Sequence, residues 1–137
     1  MIVVDASVVL KWFRRKDEDY ISNALNLLQN HLDNKEIITI PSLLFLEIAN
    51  ALVTKSKSSE KKIRENLQFL NKCNLKIYSF TKEDYINASI LAKKHQTTVY
   101  DMLYAIVAKR NNTILVTGDE NFIKKTGFNF VKHIKDI

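Results

Sequence analysis

Four carboxylates in this 137-residue chain stand where side-chain chemistry would need them. Asp5 follows an apolar start, "MIVVDAS", and Asp119 closes "TILVTGD" in the same manner. In open parallel sheets, ligands bind beyond the carboxyl ends of such strands. Glu47 interrupts the apolar helical run "PSLLFLEIANAL", about 8 Å along the helix from Ser42. Asp101 lies in the opening turn of "TTVYDMLYAIVAKR". If one sheet organises these segments, the four acids converge on a single edge.

Each acid has a structural explanation when taken alone. Asp5 can N-cap a helix that starts near Ser7, and Asp119 can cap "ENFIKK". Thr98 and Asp101 have the spacing of a capping box. Glu47 lies too deep in its helix for capping, so its alternative is an exposed stripe with Leu43 and Asn50. Together the four point to chemistry. Carboxylates about 4 Å apart repel by about 4 kcal/mol at an effective dielectric of 20, and each raises its neighbour's pKa. No lysine or arginine lies within the motifs themselves to neutralise them. A hard divalent cation, Mg²⁺ or Mn²⁺, held by oxygen ligands and water would do so. Such an ion can activate water and stabilise the charge of an in-line attack on phosphorus.

The rest of the chain suits a polyanionic substrate. Its net charge is +6, from 21 Lys and Arg against 15 Asp and Glu. Basic residues cluster at Arg14, Arg15 and Lys16, from Lys55 to Arg64, at Lys109 and Arg110, and at Lys124 and Lys125. Solvated helix ends would give the same clusters. The N-terminus lacks the basic start and apolar core of an export signal, so a cytoplasmic location is expected. The lone Cys73 excludes an intramolecular disulfide, and no Cys/His spacing suggests zinc.

Elements able to position the acids are legible. Short, continuous apolar runs at 2–4, 36–40, 75–78, 113–117 and 129–131 predict parallel strands covered on both faces. Helical patterns separate them. Residues Ile21, Ala24, Leu25, Leu28 and Leu32 should share one face, and Pro41 should lie near the first turn of the Glu47 helix. Ile63, Leu67 and Leu70 make the next helix amphipathic, Thr81 and Asp84 form a capping box, and 97–110 should be a buried helix. One Pro, two Gly, no repeat and no linker predict a single domain over 1–137. The expected class is α/β, a three-layer sandwich on a mostly parallel five-stranded sheet.

These residues resemble the PIN-domain ribonucleases, particularly the VapC-like toxins of toxin–antitoxin pairs. The resemblance rests on "VVDAS", "PSLLFLEIANAL", "YDMLYAIVA" and "ILVTGDENF", in the family's order and across essentially the whole chain. It implies Mg²⁺- or Mn²⁺-dependent cleavage of RNA with water as nucleophile. Asp5, Glu47, Asp101 and Asp119 would be the acidic quartet and metal ligands, with Ser7 and Thr117 as supporting hydroxyls. It also implies a homodimer and a cognate antitoxin that blocks the site. No RNA-contacting residue transfers by motif; Arg14, Arg15 and the lysines of 55–62 are candidates from charge alone.

Rival classes fit less well. A phosphorelay receiver would carry two acids after the first strand, and Lys132 in "FVKHI" lacks the matching acceptor. A haloacid-dehalogenase-type phosphatase needs Asp-x-Asp, where Ser7 holds the second position. Phosphate-binding glycine-rich loops are missing. A binding-only protein, with its acids serving as caps, and a PIN-type RNA-processing nuclease without antitoxin remain open. His31, His95 and His133 read as surface or helix-end residues, Trp12 and Phe13 as packing residues, and Tyr100 and Tyr104 as packing beside the acids.

Overall fold

The computed structural model describes residues 1–14 and 18–137, so Arg15 and Lys16 lie outside the described residues. One sheet holds five strands: β1 Ile2–Val4, β2 Ile38–Pro41, β3 Lys76–Tyr78, β4 Leu115–Thr117 and β5 Val131–His133. Their order is β3-β2-β1-β4-β5, and every pairing is parallel. β1, β2 and β4 are buried along their whole length, which is why they are continuous apolar runs rather than alternating ones. The chain winds one way from β1 to β2 and β3, then the other way to β4 and β5. The crevice beyond the carboxyl end of β1 is therefore the topological switch point.

The helices are α1 Ala6–Val9, α2 Ile21–Leu32, α3 Leu43–Thr54, α4 Glu60–Lys72, α5 Lys82–His95, α6 Val99–Arg110 and α7 Glu120–Thr126. A 3-10 turn, Leu10–Phe13, follows α1. α6 is buried without a break from Met102 to Ala108, as its apolar circumference requires, and packs on α5 and on the central strands. α5 opens with the expected capping box: Thr81 Oγ1 accepts the Asp84 N–H at 3.2 Å, and Asp84 accepts the Thr81 N–H at 2.9 Å.

Three expectations need correction. The inward face of α2 is Ala24, Leu27 and Leu28, with Leu25 and Leu32 exposed. Packing against the 3-10 turn selects that row, and the buried Trp12 indole N–H donates to the Ala24 carbonyl at 2.9 Å. Pro41 is the last residue of β2, paired with Tyr78, and α3 begins after it. β5 starts at Val131, where the expected strand ended, because Phe128 and Phe130 stack on each other first, centroids 5.2 Å apart. His31 has a defined role at its helix end. Its Nδ1 accepts the Ile38 N–H at 3.1 Å and its Nε2–H donates to the Cys73 carbonyl at 2.9 Å, joining α2 to β2 and to the end of α4. No described helix is long and apolar enough to cross a membrane.

Candidate active site

Asp5 is the first residue after β1. Its extended backbone turns the chain into α1, and its carboxylate accepts the Val8 N–H at 3.3 Å. Asp119 does the same after β4, accepting the Phe122 N–H at 3.0 Å. Both acids are thus helix caps, but Asp5 is more than a cap. Its Oδ1 also accepts the Ser7 hydroxyl at 2.5 Å, and its Oδ2 accepts the Thr117 hydroxyl. Those hydroxyls accept in turn: Ser7 Oγ from the Gly118 N–H at 2.8 Å, and Thr117 Oγ1 from the Asp119 N–H at 3.0 Å. Two hydroxyl relays therefore tie the β4–α7 turn to Asp5. A Cβ at Gly118 would come within 3.2 Å of Ser7 Oγ, so a side chain there would push on one relay.

Glu47 is half-buried on α3, and its Oε1 accepts the Tyr104 hydroxyl at 2.6 Å. That bond is at odds with an exposed stripe of Leu43, Glu47 and Asn50. Tyr104 is buried as expected, yet its hydroxyl does more than pack; this contact was missed by sequence reasoning. The only signal was its spacing three residues after Asp101, which puts both on one helix face. The Asp101 N–H donates to Thr98 Oγ1 at 3.1 Å, but among the described residues no return bond from the Thr98 amide closes a capping box. Tyr100, expected to pack, is instead 60% exposed.

The electrostatics bind these groups into one set. Burial pushes Asp5 up to about 6 despite the Ser7, Thr117 and Val8 hydrogen bonds that favour its charged form, and the charge of Asp101 adds to the rise. Burial also raises Glu47 and Asp101. The Tyr104 bond opposes the rise at Glu47 while Asp101 adds to it. The Thr98 side chain, hydrogen-bonding toward the Asp101 carboxylate, opposes it there while Asp119 adds to it. The Tyr104 hydroxyl is driven far above its usual range by burial and then by Glu47, Asp5 and Asp101, so it remains a donor. Each of the four acids thus interacts by charge with at least one other. A buried acid elsewhere is treated differently: Asp84 pairs with Arg110 Nη2 at 2.7 Å. Among the described residues none of the four site acids has a basic ion-pair partner.

Among the described residues no three His, Cys, Asp or Glu side chains gather closely enough to enclose an ion by themselves. The donor chemistry nonetheless fits Mg²⁺ or Mn²⁺. All four candidates are hard carboxylate oxygens without an ion-pair partner among the described residues, and Mg²⁺ sites keep several waters and use only one or two carboxylates directly. The cations whose charge reaches the acids are Lys55, at Glu47, and Lys125, at Asp101. Lys125 is held by its Nζ, which donates to the Gln96 carbonyl at 3.1 Å. Of the other basic candidates, Arg14 pairs with Glu18 and Lys62 with Glu65. An open cleft of about 930 Å³ runs past Asp119, lined by Ser7, Lys11, Tyr20, Lys124 and His133 among others.

Comparison with known proteins gives one family model and several similar folds. The family model described as PIN domain matches residues 2–128. Compared with curated proteins, the chain matches none. Among solved structures, PAE2754 from Pyrobaculum aerophilum is similar with a TM-score of 0.73 at 20% identity, over 98% of this chain and 91% of that one. VapBC2 from Rickettsia felis, bound to a DNA fragment from their promoter, gives 0.70 at 20% identity over 97% and 98%. FitAcB from Neisseria gonorrhoeae gives 0.69 at 15% identity over the whole of both chains. At these identities the likeness is one of fold.

Proposed function

The chain belongs to the PIN-domain family, and on that premise we propose that it is an Mg²⁺- or Mn²⁺-dependent endoribonuclease that hydrolyses phosphodiester bonds. One observation carries the reading. Four acids from β1, α3, α6 and β4 interact by charge at one sheet edge, three of them raised, and none with a basic ion-pair partner among the described residues. Such a set gains by taking up a cation.

Asp5, Glu47, Asp101 and Asp119 would hold the ion, which when bound supplies an activated water and charge stabilisation at phosphorus. The chain's own residues do the positioning. Ser7 and Thr117 direct both oxygens of Asp5, and Tyr104 fixes one oxygen of Glu47. Fixed ligands are what a displacement at phosphorus needs, since its catalysis is mostly placement and electrostatics. The test is direct. Purified protein should cleave a labelled RNA with Mn²⁺, stop when EDTA is added, and resume on excess Mn²⁺. Cleavage indifferent to EDTA would end the metal reading.

The chain acts, in this proposal, in the cytoplasm as a homodimeric toxin restrained by an antitoxin. Support comes from the match of its motifs to VapC-like toxins and from VapBC2 among the proteins of similar fold. A PIN-type processing nuclease is the alternative. A small neighbouring reading frame whose product co-purifies with this chain and suppresses its cleavage separates the two.

A further inference from the structure

Resting on the ribonuclease reading above, we infer that Tyr100 is a stacking platform for an unpaired base of the substrate. Tyr100 and Tyr104 lie four residues apart on α6 and so share a face, separated by about 6 Å along the axis. The inner tyrosine is 1% exposed, with its hydroxyl on Glu47. The outer one stands a turn nearer the helix N-terminus and is 60% exposed. Asp101 follows it directly in the chain, in the first turn of the same helix. The same face of one helix thus carries a tyrosine bound to the acids and, above it, a tyrosine open to solvent.

Isolated exposed apolar residues are ordinary on protein surfaces. Tyr100 differs in its position. Among the described residues its ring has no aromatic partner, although Tyr20, Tyr78 and Tyr85 each have one. Its immediate surroundings also suit a nucleotide. Asp101 is one of the candidate cation ligands, and the Lys125 charge acts on it from α7. A nucleotide whose phosphate is drawn to that end of α6 brings its base to the helix turn that carries the exposed Tyr100 ring. Every base has a π-face, so such a platform accepts any unpaired nucleotide, whereas bases stacked inside a duplex cannot reach it.

The experiment measures binding apart from cleavage. Fluorescence anisotropy follows a labelled, unstructured RNA and the same RNA annealed to its complement, with Ca²⁺ replacing Mg²⁺ to withhold turnover. Tyr100→Ala should weaken single-strand binding roughly 5- to 100-fold, the span of one lost base stack. Tyr100→Phe and Tyr100→Trp should restore it, which a hydroxyl-dependent or merely structural role would not allow. Duplex binding should be the same for all four proteins. The proposal is overturned if Tyr100→Ala binds the single strand as wild type does, or weakens single strand and duplex equally. It is also overturned if Tyr100→Ala leaves RNA affinity intact but dissociates a dimer in sedimentation, since Tyr100 would then serve a protein contact. Absence of cleavage by wild type with Mn²⁺ would instead remove the nuclease reading while a Tyr100-dependent preference for single strands stands.

Discussion

The Tyr104 hydroxyl donates to Glu47 Oε1 across 2.6 Å, joining α6, which carries Asp101, to α3. Two helices that each bring one acid are thereby held at a fixed spacing by a side chain that has no charge to add. Tyr104→Phe deletes that donor and leaves the Glu47 carboxylate in a partly buried place with less to favour its charged form. Supporting groups of this kind are worth about 10- to 100-fold in metal affinity. We therefore expect Mn²⁺ binding, measured by titration calorimetry, to weaken by that order. Fold stability should fall by only about 1–2 kcal/mol. Glu47→Gln should weaken the ion as much; if it alters stability but not Mn²⁺ affinity, Glu47 is not a ligand.

Asp5→Asn should abolish cleavage and yet stabilise the metal-free protein near neutral pH. The sign follows from burial, which raises Asp5 from 3.8 to about 6. The folded state binds a proton that the unfolded state has already lost across that window. Stability from this group is therefore greatest below 3.8, declines as pH rises toward 6, and stays at its minimum above it. The amide removes a cost of about 1–3 kcal/mol above that window and changes little at about pH 4. Thermal unfolding in EDTA at both pH values reads the difference. A variant destabilised at neutral pH would show that the Ser7 and Thr117 bonds, not burial, dominate at Asp5.

Cation binding must displace protons from the raised acids, so its affinity should drop with pH. Below about pH 6, where Asp5 takes up its proton, Mn²⁺ affinity should fall about tenfold per pH unit for each proton released. Calorimetry in buffers of different ionisation enthalpy counts those protons directly. Affinity that stays flat through this range would mean Asp5 lies outside the ion's ligand set.

Arg110→Met offers the complementary result. Asp84 is fully buried and its carboxylate meets Arg110 Nη2 at 2.7 Å. Removing one partner of a buried pair leaves the other charge stranded. Because the Arg110 side chain is partly solvated, we expect a loss of about 1–3 kcal/mol by urea denaturation, less than for a fully enclosed pair. Mn²⁺ affinity should not change, since neither residue belongs to the acid set.

Much of this site could be read before the fold was known. Asp5 and Asp119 each come just after a run of buried, mostly apolar residues, and a strand covered on both faces has no place for a charge until it leaves the sheet. Glu47 was conspicuous because its neighbours are apolar. Tyr104 was not, for an aromatic in an apolar helix has the same pattern whether or not its hydroxyl meets a partner. The face of α2 was misjudged because Leu25 and Leu28 fit helical spacing as well as Leu27 and Leu28 do. The packing of α2 against the 3-10 turn Leu10–Phe13, which sequence periodicity does not reveal, decides between them. Pro41 was misplaced for a similar reason: proline is tolerated both at a helix start and at a strand end, and the Tyr78 pairing selects the second.

The placement of β1 has a consequence for biosynthesis. It sits mid-sheet, and its register with β4 pairs Val4 with Val116, so during synthesis β1 waits for a strand far behind it in the chain. A nascent fragment that stops before Leu115 lacks both β4, one of the two neighbours of β1, and Asp119. Under the ribonuclease reading, no working cutter exists until β4 and Asp119 have both been made.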